Sequence, residues 1–268
     1  MPQWPSWRIT RYRDPHPTLF IWPFALNAEF ILILAALLTS LTAAIGGIAG
    51  GVVLITVMPG LLPVSAIVPI HGLVQIVSNV SRTALGIRHI EWRIVRAYAL
   101  GTIVGTAIGS QVVPYFSWEH LTLALGAFIL VLTWMPRFEA APRIPGVFTI
   151  LGTVQSALSL FVGVTGPLNM PFLLREDLGR DRTVITHAVQ MTAMHGAKVV
   201  TFGILGFAFF DYWRLVLGMA AGAAAGSWAG TQLREYVPEH IFRIGIKILL
   251  TALCLRIILQ AVGFDLVP

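Results

Sequence analysis

Apolar residues run along this chain in blocks of about twenty, the length a helix needs to cross the hydrocarbon core of a bilayer. The blocks fall at 28–47, 64–86, 94–113, 119–136, 147–163, 183–206, 213–232 and 241–263, and each is predicted as a helix. Two shorter apolar pieces follow the first and fifth blocks: "IAGGVVLITVMPGLLP" from Ile48 and "VGVTGPLNMPFLL" from Val162. Each has glycine at its start and proline near its end, which argues against one continuous helix. Irregular backbone at membrane depth is tolerated only where protein or a cavity surrounds it. The expected fold is therefore all-α, a polytopic transmembrane protein. Eight spans are expected with the short pieces re-entrant, and ten if both cross. Eight is preferred because the pieces are short. Pro59, Pro63, Pro167 and Pro171 are read as the residues that terminate them.

An internal repeat organises these blocks. "EWRIVRAYALGTIVGTAIGSQV" (Glu91–Val112) aligns with "YWRLVLGMAAGAAAGSWAGTQL" (Tyr212–Leu233). Trp92 and Arg93 meet Trp213 and Arg214, and Gly101, Gly105 and Gly109 meet Gly222, Gly226 and Gly230. Glycines at a spacing of four let helix backbones approach closely, so their first role is packing. The short pieces match as well, Gly51 with Gly163 and Met58–Pro59 with Met170–Pro171. The chain divides into an interfacial arm (1–27), a first transmembrane repeat (28–136), a linker (137–146) and a second repeat (147–263). The arm holds arginines and tryptophans suited to the headgroup layer, and no compact apolar core of a cleaved signal.

Polar residues break the apolar pattern in register in the two repeats. On a helix, His187, Gln190, Met191, Met194, His195 and Lys198 share one broad face. The matching segment "HGLVQIVSNVSR" puts His71, Gln75, Ser78, Asn79 and Arg82 on the same kind of face. Superposing the two pairs His71 with His187, Asn79 with His195 and Arg82 with Lys198. A charge at the bilayer centre costs about 2.5–3.5 kcal/mol even on the mildest scale, so two cations in register point to function. The competing reading has Arg82 and Lys198 snorkelling to the headgroups, with the histidines as ordinary interior hydrogen-bonders.

No Asp or Glu lies deep in any expected span, so the fixed intramembrane charges are positive. A cavity between the repeats lined by His71, Gln75, Asn79, Arg82, His187, Gln190, His195 and Lys198 would attract a small anion. Backbone at Gly50, Gly51, Pro59, Gly163, Gly166, Pro167 and Pro171 would complete it, since helices starting after Gly51 or Gly166 would aim free N–H groups and a positive dipole end inward. Discontinuous helices at a repeat interface are the usual substrate site of secondary transporters. A histidine there can carry a coupled proton, because imidazole titrates near neutral pH.

Charge and composition narrow the classes. Only 11% of residues are charged, against about 25% in a soluble domain. The net charge of +6 is spread between the apolar blocks, as in cytoplasmic loops, which argues against nucleic acid as a partner. Basic residues do not separate eight spans from ten. The single cysteine, Cys254, excludes an internal disulfide and is expected to be a packing residue. The loop "LLREDLGRDR" is a solvated connector, with Arg175 placed to recruit anions if it reaches the cavity mouth. Neither H-E-x-x-H nor G-x-S-x-G occurs, and the spans hold no acid to orient a catalytic triad. No enzyme, cofactor or metal site is expected. An anion channel with the same lining is the alternative.

"GGIAGGVVLITVMPGLL" and "FVGVTGPLNMPFLL", each followed by a polar-striped span and then Trp-Arg with a glycine ladder, resemble the sulfite exporter TauE/SafE family, also called the toluene sulfonate uptake permeases. The resemblance covers nearly all of the chain beyond residue 28. It implies a multi-pass transporter of the bacterial inner membrane with two related halves, moving small sulfur-containing anions such as sulfite or organosulfonates. The lipid bilayer and one small anion are the implied partners, with a homodimer left open.

Overall fold

A computed structural model describes residues 22–46, 50–115, 126–131, 133–134 and 144–233, and a few positions between 236 and 259. The described residues form helices and turns, with no strand among them. In chain order the helices are α1 (Trp22–Gly46), α2 (Gly50–Val57), α3 (Val64–Ala84), α4 (Trp92–Val112), α5 (Val147–Val162), α6 (Met170–Arg175), α7 (Arg180–Ile204) and α8 (Trp213–Leu233). Helical residues at 126–131 and 133–134, and a few between 248 and 259, belong to the blocks 119–136 and 241–263. The rest of those two blocks lies outside the described residues, as do the linker residues 137–143 and the arm up to 21. α1 starts at Trp22, so the end of the expected arm is already helical.

Both short pieces break where glycine and proline forbid a regular helix. α2 ends at Val57, and the chain turns through Met58–Pro63 before α3 begins. α5 ends at Val162 and is capped by Gly163, whose φ of 71° suits a residue without a Cβ. A short 3₁₀ turn, Gly166–Asn169, then leads into α6. Pro59 and Pro63 do lie in the break after α2. Pro167 and Pro171 instead occupy the first turns of their segments, where a missing N–H removes no helical hydrogen bond. They open those segments rather than end them.

The two glycine ladders are contact surfaces. α4 lies along α5, and α8 lies along α1. A Cβ at Gly101 or Gly105 would overlap the backbone carbonyl of Thr149 or Thr153. On α8, one at Gly226 or Gly230 would overlap the carbonyl of Leu37 or Leu41. α3 and α7, the two polar-striped helices, pack against each other at the centre.

The distribution of polarity is that of a protein solvated by lipid. Phe30, Leu100, Ile103, Leu217 and Trp228 are exposed on the outer helices, while His71, Asn79, Arg82, His187, His195 and Lys198 are buried. In water such an apolar exterior would associate or aggregate; in hydrocarbon it is the solvated surface. Among the described residues, Ala28–Ile45 and Val64–Ala84 are long and apolar enough to cross a membrane individually. The bent pair Arg180–Ile204 and Phe209–Leu233 makes a third candidate, its two helices meeting at 118°. The other long helices carry arginine, glycine or alanine in place of larger apolar side chains, and this lowers their mean hydropathy.

Candidate functional site

α3 and α7 bring their polar faces together around a small cavity where the two broken pieces also converge. Gln75, Asn79 and Arg82 line it from α3, and His187 and His195 from α7. Gly51, near the start of α2, and Gly166–Pro167, at the start of the second broken segment, line it through backbone. Ala43, Val164 and Met191 complete the wall.

The other expected residues stand one layer back. His71 is fully buried, and its Nε2 donates to the Gly51 carbonyl at 2.9 Å. Gln190 Oε1 accepts from Asn169 Nδ2 at 2.9 Å, which ties α7 to the 3₁₀ turn. Lys198 is fully buried, and its ammonium donates to the Gly163 carbonyl at the break after α5. The same nitrogen lies 3.1 Å from His195 Nδ1. Gly50, Pro59, Gly163 and Pro171 shape the breaks without lining the cavity.

Neither cation reaches the surface. Arg82 is 3% exposed and Lys198 0%. Arg82 donates to Asn79 Oδ1 at 3.2 Å and to the Ala43 carbonyl, near the end of α1, at 3.4 Å. Asn79 in turn donates to the Gln75 carbonyl at 2.7 Å. The Arg82 head group is thereby held at the cavity wall by its own helix and by α1. Among the described residues no Asp or Glu is buried.

The histidines act on the breaks in parallel ways. His71 Nε2 holds the Gly51 carbonyl, and His187 Nε2 holds the Gly166 carbonyl at 3.2 Å. His71 and His195 meet edge to face, with ring centroids 5.5 Å apart. A chain of contacts therefore runs from the α2 segment through His71, His195 and Lys198 to the break at Gly163. Two glycines make room for it. A Cβ at Gly51 would overlap the Gln75 amide, and one at Gly72 would come within 3.3 Å of Lys198 Cδ.

Several supporting residues lie outside the stripe. Tyr98 on α4 donates to Gln155 Oε1 at 2.6 Å, and Thr165 Oγ1 donates to the Gln155 carbonyl at 3.2 Å. Asn169 is buried beside Gln190. Its only sequence signal is an amide inside the apolar run "GPLNMP". Tyr98 and Gln155 gave none, because their partnership depends on how α4 lies against α5.

Apolar outside, cationic and amide-rich within, and broken where two segments meet the cavity, this is the build of a helical membrane transporter. The chain belongs to the sulfite exporter TauE/SafE family, whose profile matches residues 32–257; the family comprises transporters rather than enzymes. It is also similar to a probable sulfite/organosulfonate exporter TauE of Cupriavidus necator, 31% identical over 115 residues. That match covers 40% of this chain and 45% of the relative, so the chain spans less than half of that protein's length in the alignment. No solved structure matches.

Proposed function

We propose that the protein is a secondary transporter of a small sulfur-containing anion, sulfite or an organosulfonate, in the bacterial inner membrane. The observation that carries this reading is the convergence of Arg82, His187 and His195 with the starts of both broken segments on one buried cavity. A guanidinium offers a planar fork matched to two oxygens of a sulfonate. Gln75 and Asn79 add amides, and the backbone at Gly51 and Gly166 adds local dipoles. His71, Gln190 and Lys198 serve as supports that hold the lining and the breaks in place. The name of the Cupriavidus necator relative, a sulfite/organosulfonate exporter, agrees with this substrate class. Coupling to protons is part of the proposal.

We further propose two related halves, 28–136 and 147–263, with eight spans and re-entrant broken pieces. The crossed pairing supports the halves: α1, the first helix of one, lies on the ladder of α8, and α5, the first of the other, lies on the ladder of α4. Helix length supports re-entrance. α2 has 8 residues and α6 has 6, about 12 Å and 9 Å at 1.5 Å per residue, well short of a core about 30 Å thick.

The test is a thermal-shift screen of the purified full chain with sulfite, sulfoacetate, methanesulfonate and toluene sulfonate, against chloride and a cation series. A ligand that binds only the folded state raises the midpoint by mass action. Stabilisation by a sulfur anion in the wild type, lost in Arg82→Ala, is expected. Stabilisation by cations instead, or by chloride equally well, overturns it. Counterflow in proteoliposomes then separates carrier from channel, since only a carrier exchanges labelled for unlabelled substrate.

A further inference from the structure

The three buried histidines have unequal freedom, and the geometry points to His187 as the residue that takes up a proton together with the anion. This rests on the transport reading above and narrows it to one ring nitrogen. A carbonyl can only accept, so the 3.2 Å contact with Gly166 requires His187 to carry a hydrogen on Nε2. Its Nδ1 is then a bare lone pair, buried and without a partner among the described residues. His195 differs. Its Nδ1 already faces the Lys198 ammonium at 3.1 Å, which has only donors to offer. Nδ1 there is the acceptor, Nε2 carries the hydrogen, and a second proton would have to displace an ammonium. His71 has the same bonding pattern as His187, with Nε2 on the Gly51 carbonyl and Nδ1 unpartnered, but it stands behind the cavity wall. Of the histidines lining the cavity, His187 alone has both an anchored ring and an unpartnered ring nitrogen.

The charges around it tie that proton to the anion. Arg82 and His71 come from α3, and Tyr98, bonded to Gln155, from α4. His195 and Lys198 lie on α7 itself. α5 and the turn Gly166–Asn169 bring no titratable side chain, α6 brings Arg175 in its last turn, and Arg88 and His89 lie exposed beyond the end of α3. With Arg82 lining the same cavity, a second positive charge on His187 is unfavourable while the cavity is empty. An anion between them reverses that sign, and the protonated ring offers it Nδ1–H while Nε2–H stays on Gly166. Anion and proton therefore favour each other, and by linkage each raises the other's affinity by the same factor.

The probes are methanesulfonate and sulfoacetate, whose sulfonate groups stay ionised through the assay range, so that a pH effect belongs to the protein. Binding is read by thermal shift on the full chain, and transport by counterflow and by a trapped pH dye in proteoliposomes. In the wild type, half-saturation should rise by about tenfold from mildly acidic to mildly alkaline buffer, and protons should enter with the sulfonate. His187→Gln keeps an amide donor for the Gly166 carbonyl and removes Nδ1, so its binding should lose the pH dependence whatever transport rate remains. His71→Gln should keep the dependence. A wild type whose affinity ignores pH overturns the inference without any variant, as does His187→Gln binding with the wild-type slope. If neither sulfonate nor sulfite binds or exchanges at any pH, the transport reading itself has failed. Exchange without proton movement leaves the anion-carrier reading standing and sinks both its proton coupling and this inference.

Discussion

Gly105→Ala probes the contact that sets the spacing of α4 and α5. The added Cβ would overlap the Thr153 carbonyl, and its next neighbours are also backbone atoms. No flexible side chain can swing aside, so the helices must separate. Over-packing of this kind costs about 1–3 kcal/mol, and the backbone contact places it at the upper end. Alanine returns about 1 kcal/mol through its better helix propensity. The net loss is then about 1–2 kcal/mol, which at about 2–4 °C per kcal/mol for a chain of this size lowers the midpoint by about 2–8 °C. The single cysteine supplies the assay. Cys254 is fully buried, so a fluorogenic thiol reagent labels it as the protein opens. Gly196→Ala is the control, because a Cβ there has nothing within 4 Å, and its midpoint should hold or rise. If Gly105→Ala melts at or above the wild-type midpoint, or Gly196→Ala falls as far, close backbone approach is not what these glycines provide.

Arg82→Ala should weaken sulfonate binding by about 10–150-fold, the loss of a charge-assisted hydrogen bond worth about 1.5–3 kcal/mol. Arg82→Lys, which keeps the charge and loses the fork, should recover only part of it in the same thermal-shift titration. Tyr98→Phe withdraws the donor from Gln155 Oε1 inside the protein, for a cost of about 1–3 kcal/mol, visible as earlier Cys254 labelling on heating. The ion pairs Arg93–Glu176 (2.7 Å) and Arg182–Glu91 (2.9 Å) involve partly exposed side chains. Glu176→Gln should therefore change stability by no more than about 1 kcal/mol, and high salt should erase the difference in melting.

The helices and the polar face were legible in the chain itself, and the reason is physical. In a bilayer every backbone polar group must be satisfied locally, which forces long apolar helices and makes each exception conspicuous. The blocks at 64–86, 94–113 and 213–232 lie within a few residues of α3, α4 and α8. His187, Gln190, His195 and Lys198 could be assigned to one face from spacing alone, and all four are buried. The breaks at Met58–Pro63 and at Gly163 were also visible, because glycine and proline act on their own backbone.

Tertiary structure decided which of these residues meet one another. Periodicity puts Lys198 and Arg82 on equivalent faces, yet Arg82 lines the cavity while Lys198 turns to the Gly163 carbonyl and His195. That difference arises because the break after α5 presents a carbonyl to Lys198, whereas Arg82 meets the end of α1 at Ala43. The same holds for the ladders. Spacing shows that Gly105 and Gly226 want a close neighbour, but only packing identifies Thr153 on α5 and Leu37 on α1 as those neighbours. A sequence specifies the surface a helix offers; which surface receives it depends on how all the helices fill space together.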